Sequence, residues 1–289
     1  MALIEGIIEK LIGFLETLAR YLSLDHRKIR AFLFKYGIYN IYERLLEAEI
    51  RKKQLPKHIG VIIDGNRRWA RTHNLETWIG HVVGAENVET FIKWCLELGI
   101  RSITVYAFST DNFKRDHDEI EHLMKLIRKK LEELKSNPLI YKHRVKVKVI
   151  GRWNLLPPAL RKAAKEVEEV TKDHDQHFLN IAVAYGGRAE IVDAVRKIAR
   201  DVRAGHLSPE DIDEELFESY LYTGYLPEDV RDPDLIIRTS GEERLSGFLL
   251  WQCAYSELCF VDVYWPEFRR IDLLRAIRTY QRRQRRFGR

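Results

Sequence analysis

Cysteine is scarce in this 289-residue chain, which has three: Cys95, Cys253 and Cys259. Their spacing fits no zinc motif, and an odd count excludes a fully paired disulfide framework. Each reads as a small buried apolar residue in a reducing, cytoplasmic setting. Glycine (16) and proline (8) are spread thinly, so no segment has the composition of a disordered linker. Asn and Gln are sparse beside the charged residues, a bias seen in thermophilic proteins. No apolar run approaches the roughly 20 residues a bilayer span requires. Residues 1–18 lack the basic start of a secretory signal and are broken by Glu5, Glu9 and Lys10. No Walker-type GxxxxGK[ST] loop, internal repeat or low-complexity tract occurs.

The charge present is unevenly placed. The net value is +6, yet residues 269–289 alone hold nine Arg and one Asp. The basic character therefore belongs to the C-terminus. Such a tail can engage nucleic acid, acidic lipid or a phosphorylated substrate, or form a solvated Arg-rich helix. No RNA- or DNA-binding motif accompanies it, so nucleic acid is not expected as a partner.

Periodicity outlines the fold. Ile4, Ile7, Ile8, Leu11, Leu15 and Leu18 share one face of an amphipathic helix that either lies on a membrane surface or packs on its own domain. Residues 27–53 read as further helix. Beyond Pro56, strands are expected at 59–64, 102–108, 145–151, 178–185, 234–238 and 258–263. Helices are expected at 66–73, 82–98, 117–135, from Pro157, at 188–203 and at the Arg-rich end. Strands alternating with helices imply an α/β fold: a single domain over residues 54–289, with a six-stranded, mostly parallel sheet flanked by helices. Residues 1–53 form a helical extension. Ligands of such sheets bind beyond the C-terminal strand ends. Asp64, Ser109, Arg188 and Arg238 all fall there, which favours one shared cleft.

The segment His58 to Ala70, HIGVIIDGNRRWA, is the most informative. A strand delivers Asp64, Gly65 permits a tight turn, and a helix begins at Asn66 with Arg67 and Arg68. Helix N–H groups and two guanidinium forks suit phosphate oxygens. A carboxylate beside a phosphate calls for a bridging Mg²⁺. A capping Asp with solvated Arg is the plainer alternative. Ser109-Thr110-Asp111-Asn112-Phe113-Lys114-Arg115 follows the second strand, and a turn with a helix cap explains it equally well. Arg238 ends a buried strand and needs an anionic partner. Salt bridges to Glu242 or Glu243 are the structural alternative. Glu257, among apolar residues, needs a metal or an Arg.

Taken together, these blocks resemble the cis-prenyltransferases, the undecaprenyl and dehydrodolichyl diphosphate synthases. HIGVIIDGNRRWA, AFSTDNFKR, LNIAVAYGGRAEI and DLIIRTSGEERLSGFLLWQCAYSELCFVDVYWPEF are similar to that family's signature blocks, in the same order, over residues 56–289. The terminal Arg286-Phe287-Gly288 resembles the family's RxG ending. The resemblance implies repeated addition of isopentenyl diphosphate to an allylic diphosphate, each step making a cis double bond. It implies that Asp64 holds Mg²⁺ and the allylic diphosphate, with Gly65, Asn66, Arg67, Arg68 and Arg115 around the phosphates and Trp69 along the prenyl chain. Ser109, Thr110, Asp111 and Phe113 would complete the substrate site. Arg238, Arg244, Leu245 and Ser246 would bind isopentenyl diphosphate. Asn112 and His81 would assist loss of its C2 proton, Asn112 by orienting a phosphate or water, since Asn is a poor base. Glu257 would help hold Mg²⁺, and Arg286 and Gly288 would reach a partner's site in a homodimer.

Departures stand out. Thr77 replaces a family Arg, so one phosphate contact is either missing or supplied elsewhere, with Arg71 a candidate. Phe113 stands for Trp, Ser240 for Gly and Gly247 for Asn. Residues 1–50 exceed the short bacterial pattern and look like archaeal or eukaryotic members. That implies a dolichol-type glycosyl carrier lipid and a geranylgeranyl or farnesyl primer. The apolar tail is expected between helices 82–98 and 117–135. Peripheral contact at the inner membrane face is open. A non-catalytic partner subunit of the same fold is the alternative, although such partners lose the aspartate and phosphate arginines kept here. The DDxxD helices of trans-prenyltransferases are absent.

Overall fold

A computed structural model describes Lys10 and residues 38–283. The amphipathic stripe of residues 2–18 therefore lies outside the described residues except for Lys10, as do Arg286 and Gly288.

The chain runs α1 (Ile38–Ile50), β1 (His58–Ile62), α2 (Asn66–Thr72), α3 (Thr77–Leu98) and β2 (Ser102–Ser109). Then come α4 (His117–Leu134), α5 (Pro138–Lys142), β3 (Val145–Ile150), α6 (Pro158–Val170), β4 (His177–Tyr185) and α7 (Gly187–Arg203). Short helices α8 (Glu214–Tyr220) and α9 (Glu228–Arg231) lead to β5 (Leu235–Thr239), β6 (Glu257–Val261) and α10 (Arg270–Arg282). Residues 56–268 form one compact unit, and residues 38–55 with 269–283 a second.

All six strands pair in parallel, in the order β3-β4-β2-β1-β5-β6. The expectation of a mostly parallel sheet is met in full. Burial explains the sequence texture. The central strands β1 and β5 are buried at every residue, and apart from His58, Arg238 and Thr239 they are apolar or glycine. The edge strand β3 alternates buried Val with half-exposed Lys, the VKVKV pattern. From β1 the chain winds to β2, β3 and β4 on one side, then crosses to β5 and β6 on the other. The reversal falls at β1, where a crevice opens beyond the strand ends.

Under the loops after these strands, Ile62, Tyr106, Ala182, Tyr185, Ile236 and Phe248 form one core cluster. Tyr106 stacks on Phe248 at 4.8 Å. A polar ladder also crosses the sheet. Buried His58 shares a 2.8 Å hydrogen bond with Thr104 Oγ1, which accepts from Asn180 Nδ2 at 2.9 Å. Burial drives the His58 pKa down to about 4.

Helix α3 begins at Thr77, earlier than the apolar periodicity shows, and α5, α8 and α9 are too short to carry a period of their own. In the second unit, Arg270 pairs with Glu43 and Glu47, each at 2.9 Å. Arg269 pairs with Asp272 at 3.1 Å. Part of the C-terminal basic charge is thus neutralised within the chain.

Candidate active site

Asp64 is the first functional group the sheet positions. It lies just past β1, its backbone fixed by Thr239 Oγ1, which accepts from Asp64 N at 3.0 Å and donates to Asp64 O at 2.7 Å. Gly65 follows at φ +102°, and a Cβ there would strike Tyr264, so only glycine makes this turn cheaply. Gly65 N–H donates to Asp64 Oδ1 at 2.6 Å.

Arg238, in β5 and level with Ile62 of β1, is the partner. It is 4% exposed, and its Nη2 donates to Asp64 Oδ2 at 2.8 Å. Its Nη1 bonds Ser246 Oγ at 2.8 Å and the carbonyl of Arg244. The anion that Arg238 requires is therefore Asp64, not Glu242 or Glu243. Burial works against the charged Asp64 carboxylate. The bond and charge of Arg238, with Arg68 and Gly65 N–H, overcome it and hold the pKa below the usual value.

Glu242 serves Arg68 instead, at 2.9 Å, and also pairs with Arg244. Arg68 further donates to Ser240 Oγ at 2.6 Å and lies 3.4 Å from Asp64 Oδ1. Ser240 (φ +75°) and Ser246 (φ +49°) hold left-handed backbone within this loop, strain of the kind that presets binding groups.

On the other side, Ser109 and Asn112 form a reciprocal cap. Ser109 Oγ accepts from Asn112 N at 3.2 Å, and Asn112 Oδ1 accepts from Ser109 N at 2.9 Å. That bond uses one lone pair of the Asn112 oxygen and fixes the orientation of its amide. Glu119, absent from the sequence reading, is the shared anion here. It takes Arg115 at 2.9 Å, His81 at 3.2 Å and Arg67 at 3.7 Å. The only sequence trace of it is the helical spacing Arg115 to Glu119. Burial lowers the His81 pKa, partly countered by Glu119, so the ring is neutral near pH 7.

These groups face connected cavities. One, of about 300 Å³, is lined by Asp64, His81, Ser109, Asp111, Asn112, Arg115, Arg238 and Ser246. A second, of about 310 Å³, is lined by Asp64, Gly65, Asn66, Arg67, Arg68, Arg71, His81 and Arg115. Arg71 borders it and Thr77 does not, which fits Arg71 as the substitute cation. A third, of about 130 Å³, is apolar and runs between α3 and α4, where the prenyl tail was expected. Ile63, Asn66 and His81 line all three.

Other residues are placed elsewhere. Phe113 packs edge-on against Phe108 at 4.9 Å. Trp69 stacks near His73 and donates to Glu267 at 3.2 Å, and it is not part of the apolar wall. Thr110 Oγ1 faces Gly186. Leu245 packs on the Phe248 cluster. Glu257 opens β6 in register with Leu235, three residues before Phe260, which is level with Arg238. That is about 10 Å of strand from the Asp64 end, so one chain does not bring the two carboxylates together.

A metal can be tested against this geometry. Among the described residues no three or more His, Cys, Asp or Glu converge as a cage. A lone half-buried carboxylate fits Mg²⁺, which typically takes one or two carboxylates and completes its shell with phosphates and water. Of the groups lining these two cavities, Arg67, Arg68, Arg71, Arg115 and Arg238 outnumber Asp64 and Asp111, leaving positive charge for a diphosphate.

The family model for undecaprenyl diphosphate synthase (Prenyltransf) matches residues 62–288. The chain belongs to this prenyltransferase family. It is 50% identical over 283 residues to a tritrans,polycis-undecaprenyl-diphosphate synthase (geranylgeranyl-diphosphate specific) of Methanocaldococcus jannaschii, covering 98% of this chain and 99% of that one. A Methanopyrus kandleri protein of the same name is 54% identical over 252 residues, 87% of this chain and 92% of its own. Among solved structures, lavandulyl diphosphate synthase from Lavandula x intermedia in complex with dimethylallyl diphosphate superposes with a TM-score of 0.77 at 38% identity, over 81% of this chain and 99% of that one. No helix among the described residues is long and apolar enough to cross a membrane.

Proposed function

We propose that the chain extends geranylgeranyl diphosphate with successive isopentenyl diphosphates to a long polyprenyl diphosphate, for use as a glycosyl carrier lipid. The observation that supports this most is the joining of two polar cavities, one of them rich in arginine, to an apolar channel at Asn66 and His81. The names of the archaeal relatives favour the geranylgeranyl primer.

Arg67, Arg68, Arg71 and Arg115 bind the allylic diphosphate. Mg²⁺, held by Asp64, would supply further charge neutralisation at the leaving diphosphate. As the allylic C–O bond ionises, the guanidinium groups meet the charge growing on the departing oxygens. Arg238, Arg244 and Ser246 hold isopentenyl diphosphate so that its double bond faces the allylic carbon. After the new bond forms, the C2 proton passes to a phosphate oxygen or water oriented by Asn112, with neutral His81 alongside. Arg286 and Gly288 of a second copy would complete the site in a homodimer. The stripe of residues 2–18 would rest the enzyme on the inner membrane face.

The non-catalytic subunit reading is not favoured, because Asp64 and the Arg set are present and converge. The test offers the purified chain labelled isopentenyl diphosphate, Mg²⁺ and geranyl, farnesyl or geranylgeranyl diphosphate. The expected result is long polyprenyl product, with the highest kcat/KM on the geranylgeranyl primer. Equal use of all three would remove the primer assignment, and no product from any would favour a non-catalytic subunit.

A further inference from the structure

One acid holds part of the arginine-rich cavity from behind. Arg67 comes from α2, His81 from α3 and Arg115 from the turn before α4, and all three line that cavity. They also converge on a single oxygen, Oε1 of Glu119, in the first turn of α4. Arg115 Nη1 donates to it at 2.9 Å, and His81 Nε2 lies 3.2 Å away. Arg67 Nε, buried and without a hydrogen bond, stands at 3.7 Å, where charge alone acts. Glu119 is 11% exposed and lines none of the three cavities. A ligand in the cavity therefore meets the cations, while the carboxylate behind them acts through its field, poorly screened at such burial.

The reaction makes opposite demands on this cavity. It must hold the allylic diphosphate while the C–O bond ionises. It must also let the inorganic diphosphate go, because every condensation breaks one such bond and leaves that diphosphate in place. Arg67, Arg68, Arg71 and Arg115 lining the cavity with Asp64 as its one acid would grip such a polyanion tightly. We propose that Glu119 is a positioning residue for release: it fixes Arg115 and His81 in the cavity wall and offsets enough arginine charge for inorganic diphosphate to leave between condensations. The inference rests on the prenyl-transfer reading and deepens it at the same site. An Arg115 that turns fully toward phosphate gives up its bond to Glu119 and regains it when the diphosphate departs. Release then exchanges one anionic partner for another, and no guanidinium is left bare in a half-buried wall.

The test is inhibition by inorganic diphosphate with Mg²⁺ present, with single-turnover and steady-state condensation rates measured alongside on the full chain. Glu119→Gln keeps the shape of the side chain and removes its charge. It is expected to lower the inhibition constant for inorganic diphosphate about fivefold or more, and to slow steady-state turnover more than the single-turnover rate. Glu119→Asp keeps the charge and should hold the inhibition constant within about twofold of wild type. Glu119→Ser, also free of charge, serves if Glu119→Gln does not fold. Unchanged or weaker inhibition in a folded charge-free variant would overturn the proposal. So would an equal fall in both rates, which would place Glu119 in the chemical step. Misfolding of both charge-free variants beside a folded Glu119→Asp would make the residue structural and likewise overturn it. A wild-type chain that forms no polyprenyl product from any primer sinks the prenyl-transfer reading and this inference with it, whereas the release role alone falls against an active wild type.

Discussion

The two halves of the cleft are built on opposite principles. The polar half comes from strand ends and short loops, Asp64 after β1 and Arg238 at the end of β5, and Arg68, Arg115 and Arg238 there each have a named counter-charge. The apolar half comes mainly from one face each of two long helices, α3 and α4, with Val105, Ala107 and Ile181 contributed by the sheet. The polar half must bind charge at fixed points, so its side chains are locked by bonds such as Arg238 to Asp64 at 2.8 Å. On the proposed reaction the channel would accept a tail of changing length, which suits non-directional burial.

Breaking the polar half should have the largest effect. Arg238→Gln removes both a phosphate-facing cation and the partner of Asp64. A fall of roughly 100- to 1,000-fold in kcat/KM for isopentenyl diphosphate is expected, measured by steady-state kinetics at saturating primer.

Acid separates the fold from the polar half. The folded pKa of His58, about 4, lies below its unfolded value of about 6.5. The unfolded state therefore takes up the proton first. Stability is full above about pH 6.5 and falls as the pH drops toward 4, by roughly 3 kcal/mol at the lower limit. Asp64, held below its usual pKa, stays charged through most of that window. Denaturant melts between pH 7 and 4 should show the slope, and His58→Gln should flatten it.

Gly84→Ala strikes the junction of the halves. A Cβ there would lie 2.2 Å from Asn66 Oδ1, an atom in all three cavity walls' shared residue. Overpacking of this kind typically costs about 1–3 kcal/mol. The melting temperature and the rate of the first condensation should fall together. A drop in only one would show that Asn66 does not couple the halves.

The same contrast explains what could be read from residues alone. Asp64, Arg68, Asn112, Arg238 and Ser246 follow strands within short blocks, where local turn chemistry and strand ends mark the site. The central strands were legible because strands covered on both faces are rich in apolar residues, and the edge strand β3 because its Val and Lys alternate. The hydrogen bond from Lys130 of α4 to Glu89 of α3 was not legible, because it depends on how two helices 41 positions apart in sequence pack. Glu119 was hidden likewise, as one acid among several on a charged helix. The pairing of Arg238 with Asp64 rather than Glu242 is set by register between β1 and β5 and leaves no local signal. The remoteness of Glu257 follows from the register of β6.

The most direct test of the account is product formation by Asp64→Asn, a substitution that keeps the shape of the side chain and its acceptor oxygen. Label from isopentenyl diphosphate would be followed into extracted lipid, with geranylgeranyl diphosphate and Mg²⁺ present, at a temperature where the variant is folded. The account predicts a loss of at least about 100-fold relative to wild type. Turnover within a few-fold of wild type would contradict it, because the carboxylate that both polar cavities share would then be dispensable.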